Sequence, residues 1–362
     1  MAEEGPSFGR RAGVRVLATL SAVIDSGGGG RGGMGAMVAG VPTRDDVERA
    51  GVWLAGRVVR TPVLRSPVID AAAGVPVLLK AESLQRSGSY KVRGALRAVS
   101  RVAEGGAHPG VVCQSTGNHA LAVAMAARDH GLGATVVLPA DAPAGKVAKA
   151  REYGARVVLG GATAEERHVV VDEVRDRLGY AVVDAYDHPD VVAGQGTASL
   201  ELLADADVDA LVVPVGGGGG VAGACLAAEG RGVDVYGVEP VGCDSLARSL
   251  EAGRRTVVVP GVTLADGLRP SCVGRLPFEV VRDRLAGVVR VGDDAIAAAF
   301  RMLLLHAKLL VEPSGAAGLA GALSVAASGR YRSVGVVLTG GNVEPGVVAR
   351  LLSGVDLEVA AS

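Results

Sequence analysis

Five short stretches of this 362-residue chain carry the residue types from which chemistry is built. The first is Lys80 to Ala95, KAESLQRSGSYKVRGA. Here an apolar run (Val77, Leu78, Leu79) gives way to a Ser/Gly loop, and Lys91 stands where a helical segment through Val92, Ala95, Leu96 and Ala98 begins. A lysine gains nothing as a cap at that end, because the helix dipole disfavours a cation there. A strand-to-helix junction is, however, where open α/β sheets place ligands. The second stretch, Ser115-Thr116-Gly117-Asn118-His119, offers backbone amides, two hydroxyls and a carboxamide, a set suited to a carboxylate. An ordinary helix cap by Asn118 or Ser115 reads equally well from the same residues. His119 could serve as a base, although a histidine entering an alanine-rich helix is more often structural.

The third stretch is Gly216 to Gly220, between the apolar run Leu211–Val215 and a helix expected near Val221. Glycine runs let backbone N–H groups close around a phosphate at the positive end of a helix. The Lys-Ser/Thr of a nucleotide-binding loop is missing and no ribose-binding acid follows, so a phosphate monoester fits better than a dinucleotide or ATP. In the fourth, Val311-Glu312-Pro313-Ser314-Gly315-Ala316, Pro313 is expected to stop one helix and Ser314 or Gly315 to begin another. The fifth is Thr339-Gly340-Gly341-Asn342, where a threonine leaving a strand end can make one hydrogen bond to a bound ring. All five follow strands or open helices, and together they argue for one shared cleft.

The elements that must position these residues read as an alternation of short β-branched runs and alanine-rich helical spans. The runs are 110–112, 134–138, 156–159, 181–183, 210–215, 233–238 and 334–338. Such alternation predicts parallel sheet with crossover helices. So many strands exceed one comfortable sheet, so two α/β lobes with a cleft between them are expected. Hydrophobic residues make up 49% of the chain but aromatics only 3%, so the core must be valine, leucine and alanine. A net charge of −1 gives no electrostatic case for nucleic acid or an acidic membrane. No apolar run approaches a membrane span. Four scattered cysteines without CxxC or zinc-type spacing read as small buried hydrophobes in a reducing, cytoplasmic compartment. Residues 1–42, with the glycine run at 27–33, read as a disordered leader. Arg10 and Arg11 ahead of Val14–Ile24 faintly resemble a signal peptide, but no cleavage site follows, and a start assigned too far upstream of Met34 or Met37 explains the segment better. Thr43 and Asp46 then open a helix running to about Leu54.

Taken together, SGSYKVRGA, STGNHA, the glycine run, EPSGA and TGGN resemble, in order, the signatures of fold-type II pyridoxal-phosphate enzymes, with Tyr90 where phenylalanine is usual. AGQGT (Ala193–Thr197) and TLADGL (Thr263–Leu268) make it similar to the serine/threonine dehydratase and serine racemase branch. The resemblance implies two open, twisted, mostly parallel sheets with flanking helices and the cofactor between them. It implies a large cofactor-binding domain at 43–109 and 188–355, a small mobile domain at 110–187 and a tail at 356–362. It further implies that Lys91 carries pyridoxal 5′-phosphate as a Schiff base and acts as the base at Cα, by way of a lowered pKa. Gly216, Gly217, Gly218, Gly219 and Gly220 would bind the phosphate, Asn118 the 3′-oxygen and Thr339 the pyridine nitrogen, with Glu312 close to the ring. Ser115, Thr116 and Gly117 would hold the substrate carboxylate.

A neutral threonine at the pyridine nitrogen makes the ring a weaker electron sink, which suits prompt loss of a β-leaving group. The implied reaction is dehydration of a β-hydroxy amino acid such as L-threonine or L-serine to an aminoacrylate, which hydrolyses to a 2-oxo acid and ammonia. Racemisation with Thr116 opposite Lys91 is the runner-up, and β-replacement stands behind it. The partners implied are a small amino acid and a second copy of the chain in a homodimer. Relatives that bind a divalent cation use a glutamate, a carbonyl and an aspartate; Glu239 and Cys243 match the first two, but Ser245 stands at the third and Asp244 lies one residue away. Loss of a carboxylate weakens such a site, so no cation is expected.

Overall fold

A computed structural model describes residues 40–115, 117–140, 142, 144–161 and 164–353. Most of the expected leader, Thr116 and the expected tail lie outside the described residues.

The described strands are β1 (Val63–Leu64), β2 (Val77–Lys80), β3 (Gly110–Gln114), β4 (Gly133–Leu138), β5 (Arg156–Leu159), β6 (Ala181–Val182), β7 (Ala210–Pro214), β8 (Asp234–Pro240), β9 (Gly287–Val291) and β10 (Val334–Val337). Six form one sheet in the order β1-β2-β10-β7-β8-β9, and four form another in the order β5-β4-β3-β6. Every pairing is parallel except β1 with β2. The fold is therefore α/β with two mostly parallel sheets. Strand β7 is buried at every position, as is β10, which is why both read as unbroken apolar runs rather than as alternation.

The helices are α1 (Arg44–Leu54), α2 (Pro67–Ala73), α3 (Lys91–Gly105), α4 (Asn118–Asp129), α5 (Ala144–Glu152), α6 (Ala164–Leu178), α7 (Pro189–Asp205), α8 (Gly219–Ala228), α9 (Ser245–Glu251), α10 (Arg275–Val281), α11 (Asp293–Met302), α12 (Pro313–Ala326) and α13 (Pro345–Ser353). Thr43 and Asp46 close a reciprocal capping box on α1, the Asp46 carboxylate accepting from the Thr43 amide at 2.9 Å. Pro313 does not stop a helix. It is the first residue of α12, where its missing N–H costs nothing, and Glu312 is the cap. The preceding helix ends instead in a π-turn (Leu303–Ala307) and a left-handed Lys308 at φ 60°. Two strands went unread in the sequence, β1 because it is two residues long and β9 because Gly287–Val291 follows a charged turn.

Helix α7 explains the AGQGT segment. A Cβ on Gly194 would fall 2.6 Å from the Gly94 Cα on α3, and one on Gly196 would fall 2.7 Å from the Gly223 carbonyl on α8. Only glycine permits backbones that close. The helix that begins at Lys91 and the helix that follows the glycine run are thus both held against α7.

Candidate active site

Lys91 is the first residue of α3, and the loop before it is tied down at several points. The Tyr90 amide donates to the Thr339 carbonyl at 2.9 Å, the Gly341 amide to the Gly88 carbonyl at 2.8 Å, and Ser89 forms a bridge with Gly340. Segments from near the two ends of the described chain are thereby fastened side by side. The Lys91 amine donates to the Ala185 carbonyl at 2.9 Å. Burial lowers its pKa to about 8, although the Asp184 and Glu312 carboxylates pull the other way.

The glycine run caps α8. Gly218 adopts φ 94°, which side chains resist, and a Cβ on Gly217 would overlap the Tyr186 ring that covers the loop. Tyr186 is aimed by the turn before α7, in which Asp184 Oδ1 accepts from the Tyr186 and Asp187 amides at 2.9 and 2.7 Å. Asp187 in turn caps α10 through the amides of Arg275 and Leu276. The Gly274 amide closes the circle by donating to the Gly217 carbonyl at 3.0 Å.

Asn118 opens α4 and donates to Glu312 Oε1 at 2.7 Å. Asn342 donates to Asn118 Oδ1 and the Ser87 carbonyl, each at 2.8 Å, and accepts from the Lys149 amine at 2.7 Å. Burial, with Asp266 nearby, raises the Glu312 pKa to about 8 against the Asn118 hydrogen bond and the Lys146 and Lys149 charges. A Cβ on Gly340 would fall 2.5 Å from Glu312 Oε1, so the TGGN glycine makes room for this carboxyl group. Thr339 is buried, and its hydroxyl makes no hydrogen bond among the described residues. Just before α4, the Gly117 amide donates to Ser115 Oγ at 3.1 Å, and Gly117 rather than Ser115 or Asn118 is the cap residue. His119 lies buried with Nε2 on the Val183 carbonyl at 2.9 Å, and burial with Lys91 nearby lowers its pKa to about 4.

Residues 54–340 match the family described as pyridoxal-phosphate dependent enzyme. The chain belongs to that family. It is 41% identical over 312 residues to an L-threo-3-hydroxyaspartate ammonia-lyase from Pseudomonas sp, covering 85% of this chain and 98% of that one. It is 38% identical to a serine racemase of Oryza sativa subsp. indica, covering 88% and 97% of the two chains. Among solved structures, a threonine deaminase from T.th. superposes with a TM-score of 0.78 at 41% identity, over 84% of this chain and 99% of that one.

The side chains suit the cofactor of a pyridoxal-phosphate dependent enzyme. They supply an amine that donates to a backbone carbonyl, a helix start stripped of side chains, and a threonine hydroxyl without a partner among the described residues. Gly217→Ala is expected to displace Tyr186 or the loop itself, and to weaken pyridoxal phosphate binding at least ~10-fold in a spectroscopic titration. Glu312 gives a second expectation. Its folded pKa of about 8 lies above the ordinary value of 4.5, so its contribution to stability is complete below pH 4.5 and disappears as pH rises through about 8. Without bound cofactor, Glu312→Gln should therefore match the wild-type thermal midpoint only at or below about pH 4.5, and exceed it by a margin that grows up to about pH 8 and is constant above.

The metal candidates run from the end of β8 to the start of α9. The Glu239 carboxylate accepts from the Leu246 and Ala247 amides at 2.8 and 2.9 Å, capping α9, and burial raises its pKa to about 7. Asp244 is held by Arg248 and Arg290, Cys243 Sγ faces the Gly261 carbonyl, and Ser245 Oγ is buried without a partner. Among the described residues no three His, Cys, Asp or Glu side chains converge. Nothing in the sequence pointed to Ala185 or Tyr186, because one acts through a carbonyl and the other through its ring.

Proposed function

We propose that the chain eliminates the β-hydroxyl of a β-hydroxy amino acid, releasing a 2-oxo acid and ammonia. Lys91 carries this reading, since its amine is neutral in a useful fraction of molecules near pH 8, donates to the Ala185 carbonyl beside the Tyr186 that covers the glycine loop, and feels the Glu312 carboxylate that Asn118 holds. Bound pyridoxal phosphate supplies an electron sink adjacent to Cα. Lys91 would anchor that group and take the Cα proton. The five glycine positions and the start of α8 would receive its phosphate, Asn118 its 3′-oxygen and Thr339 its ring nitrogen, and Glu312 would lie beside the ring. Ser115, Thr116 and Gly117 receive the substrate carboxylate. A hydroxyl at residue 339 lacks the negative charge of a carboxylate and would leave the bound group a weaker electron sink, which suits elimination.

The substrate set to test is L-threo-3-hydroxyaspartate, L-threonine and L-serine, since relatives carry the first two in their names. Racemisation is the second reading, supported by the likeness to serine racemases and by a hydroxyl at residue 116. Purified protein incubated with each amino acid should yield 2-oxo acid; D-enantiomer without 2-oxo acid would replace elimination by racemisation. We also place the working enzyme in the cytoplasm as a homodimer, to be checked by fractionation and by its mass in solution. No helix among the described residues is long and apolar enough to cross a membrane.

A further inference from the structure

Tyr90 precedes Lys91 and is the residue at which this chain departs from the phenylalanine of the pattern. Its backbone is fixed on both sides, the amide on the Thr339 carbonyl at 2.9 Å and the carbonyl accepting from the Arg93 amide at 3.0 Å. The Lys91 amine lies 5.7 Å from the ring centroid, while the phenolic oxygen lies 2.8 Å from where a Cβ on Gly220 would stand. Gly220 is the second residue of the ten-residue helix α8, and its missing side chain leaves space that the phenol enters. Yet the hydroxyl has no hydrogen-bond partner among the described residues. Phenylalanine would pack the same surface, so the oxygen is unexplained by packing. An oxygen beside the first turn of a glycine-opened helix stands where free N–H groups and the helix dipole favour an anion. Burial and the Glu312 and Glu82 carboxylates raise the phenol's pKa, so it stays a donor.

We propose that the Tyr90 hydroxyl is an additional phosphate donor of the cofactor site, hydrogen-bonding the phosphate monoester at the start of α8. The proposal rests on the pyridoxal phosphate reading of Lys91 and the glycine loop, and deepens it. It predicts that this chain discriminates for the phosphorylated cofactor more strongly than its Tyr90→Phe variant does.

The test compares wild type and Tyr90→Phe, both stripped of cofactor, titrated with pyridoxal phosphate and with pyridoxal, which lacks the phosphate. Absorbance follows binding, and borohydride reduction followed by peptide mass reports attachment at residue 91. Tyr90→Phe should weaken pyridoxal phosphate about 10-fold, the usual loss for a hydrogen bond to a charged group, and leave pyridoxal within about twofold of wild type. Equal affinity of the two proteins for pyridoxal phosphate overturns the proposal, and so does equal weakening towards both ligands. If wild type itself shows no reducible adduct at Lys91, the underlying reading fails; if it does and the variant behaves identically, only the role of Tyr90 fails. A thermal midpoint unchanged in Tyr90→Phe shows that the measured difference is not one of folding.

Discussion

Under the proposed function, Lys91→Ala should reduce 2-oxo acid formation by at least ~10⁴-fold, because one substitution removes the residue proposed as both covalent anchor and base, and a positioned base alone is worth up to that factor. The same change should abolish the borohydride-stable adduct while leaving the fold intact, since α3 is also held by its later residues. The companion measurement is the pH dependence of cofactor attachment to stripped wild-type protein. Only the neutral amine attacks an aldehyde. With a pKa of about 8, about a tenth of the molecules are neutral at pH 7, against roughly 0.03% for an ordinary lysine at 10.5. The attachment rate should therefore rise about 10-fold between pH 7 and 9 and flatten above, with its midpoint near 8. A midpoint near 10 would mean that burial does not act on this amine, and the proposed base would lose its basis.

Much of this arrangement could be read before any coordinates, for physical reasons that particular residues make plain. Parallel strands covered on both faces leave continuous apolar runs, so β7 and β10 were visible as 210–215 and 334–338 to within a residue or two. Lys91, the glycine run and Asn118 each had an ordinary structural reading, and stood out only because they recur together, in order, at strand ends and helix starts. Length and local context set the limits. The two-residue β1 exists through its pairing with β2, which no local pattern encodes. Pro313 misled because proline is compatible with both ends of a helix boundary, ending one or beginning the next, and only Lys308 in a left-handed conformation shows where the earlier helix stops.

The hidden part of the site is its bracing. Tyr186 over Gly217, Ala185 on the Lys91 amine and Asn342 between Lys149 and Asn118 are contacts between segments far apart in the chain. Their residue types are ordinary and their importance is a matter of juxtaposition. The AGQGT glycines belong to the same class: the sequence shows that they are small, and the crossing of α3, α7 and α8 shows why they must be.

The largest stability effect is expected two residues beyond Lys91, at Arg93. This guanidinium is fully buried and bonds Glu82 through Nε and one terminal nitrogen at 2.8 Å each, and Glu201 at 2.8 and 2.9 Å, with Thr197 at 3.1 Å. Lys80, also fully buried, completes the cluster on Glu201 at 2.6 Å and on the Thr61 carbonyl at 2.7 Å. Two cations and two carboxylates thus balance where α3, α7 and β2 meet. Arg93→Ala leaves Glu82 buried without its counter-charge and Glu201 with only Lys80. Removing one partner of such a set costs about 3–5 kcal/mol, which for a chain of this size lowers the thermal midpoint on the order of 10 °C. Arg93→Lys should recover only part of this, because an ammonium cannot reach both carboxylates and Thr197 as the planar fork does. The discriminating measurement is the pair Arg93→Met with Glu82→Gln. The double variant leaves the Lys80–Glu201 pair neutral, so it should be less destabilised than the sum of the two single changes by about 1–3 kcal/mol. Strict additivity would show that the charges act independently, and that α3, with Lys91 at its start, is held by glycine-mediated helix packing alone.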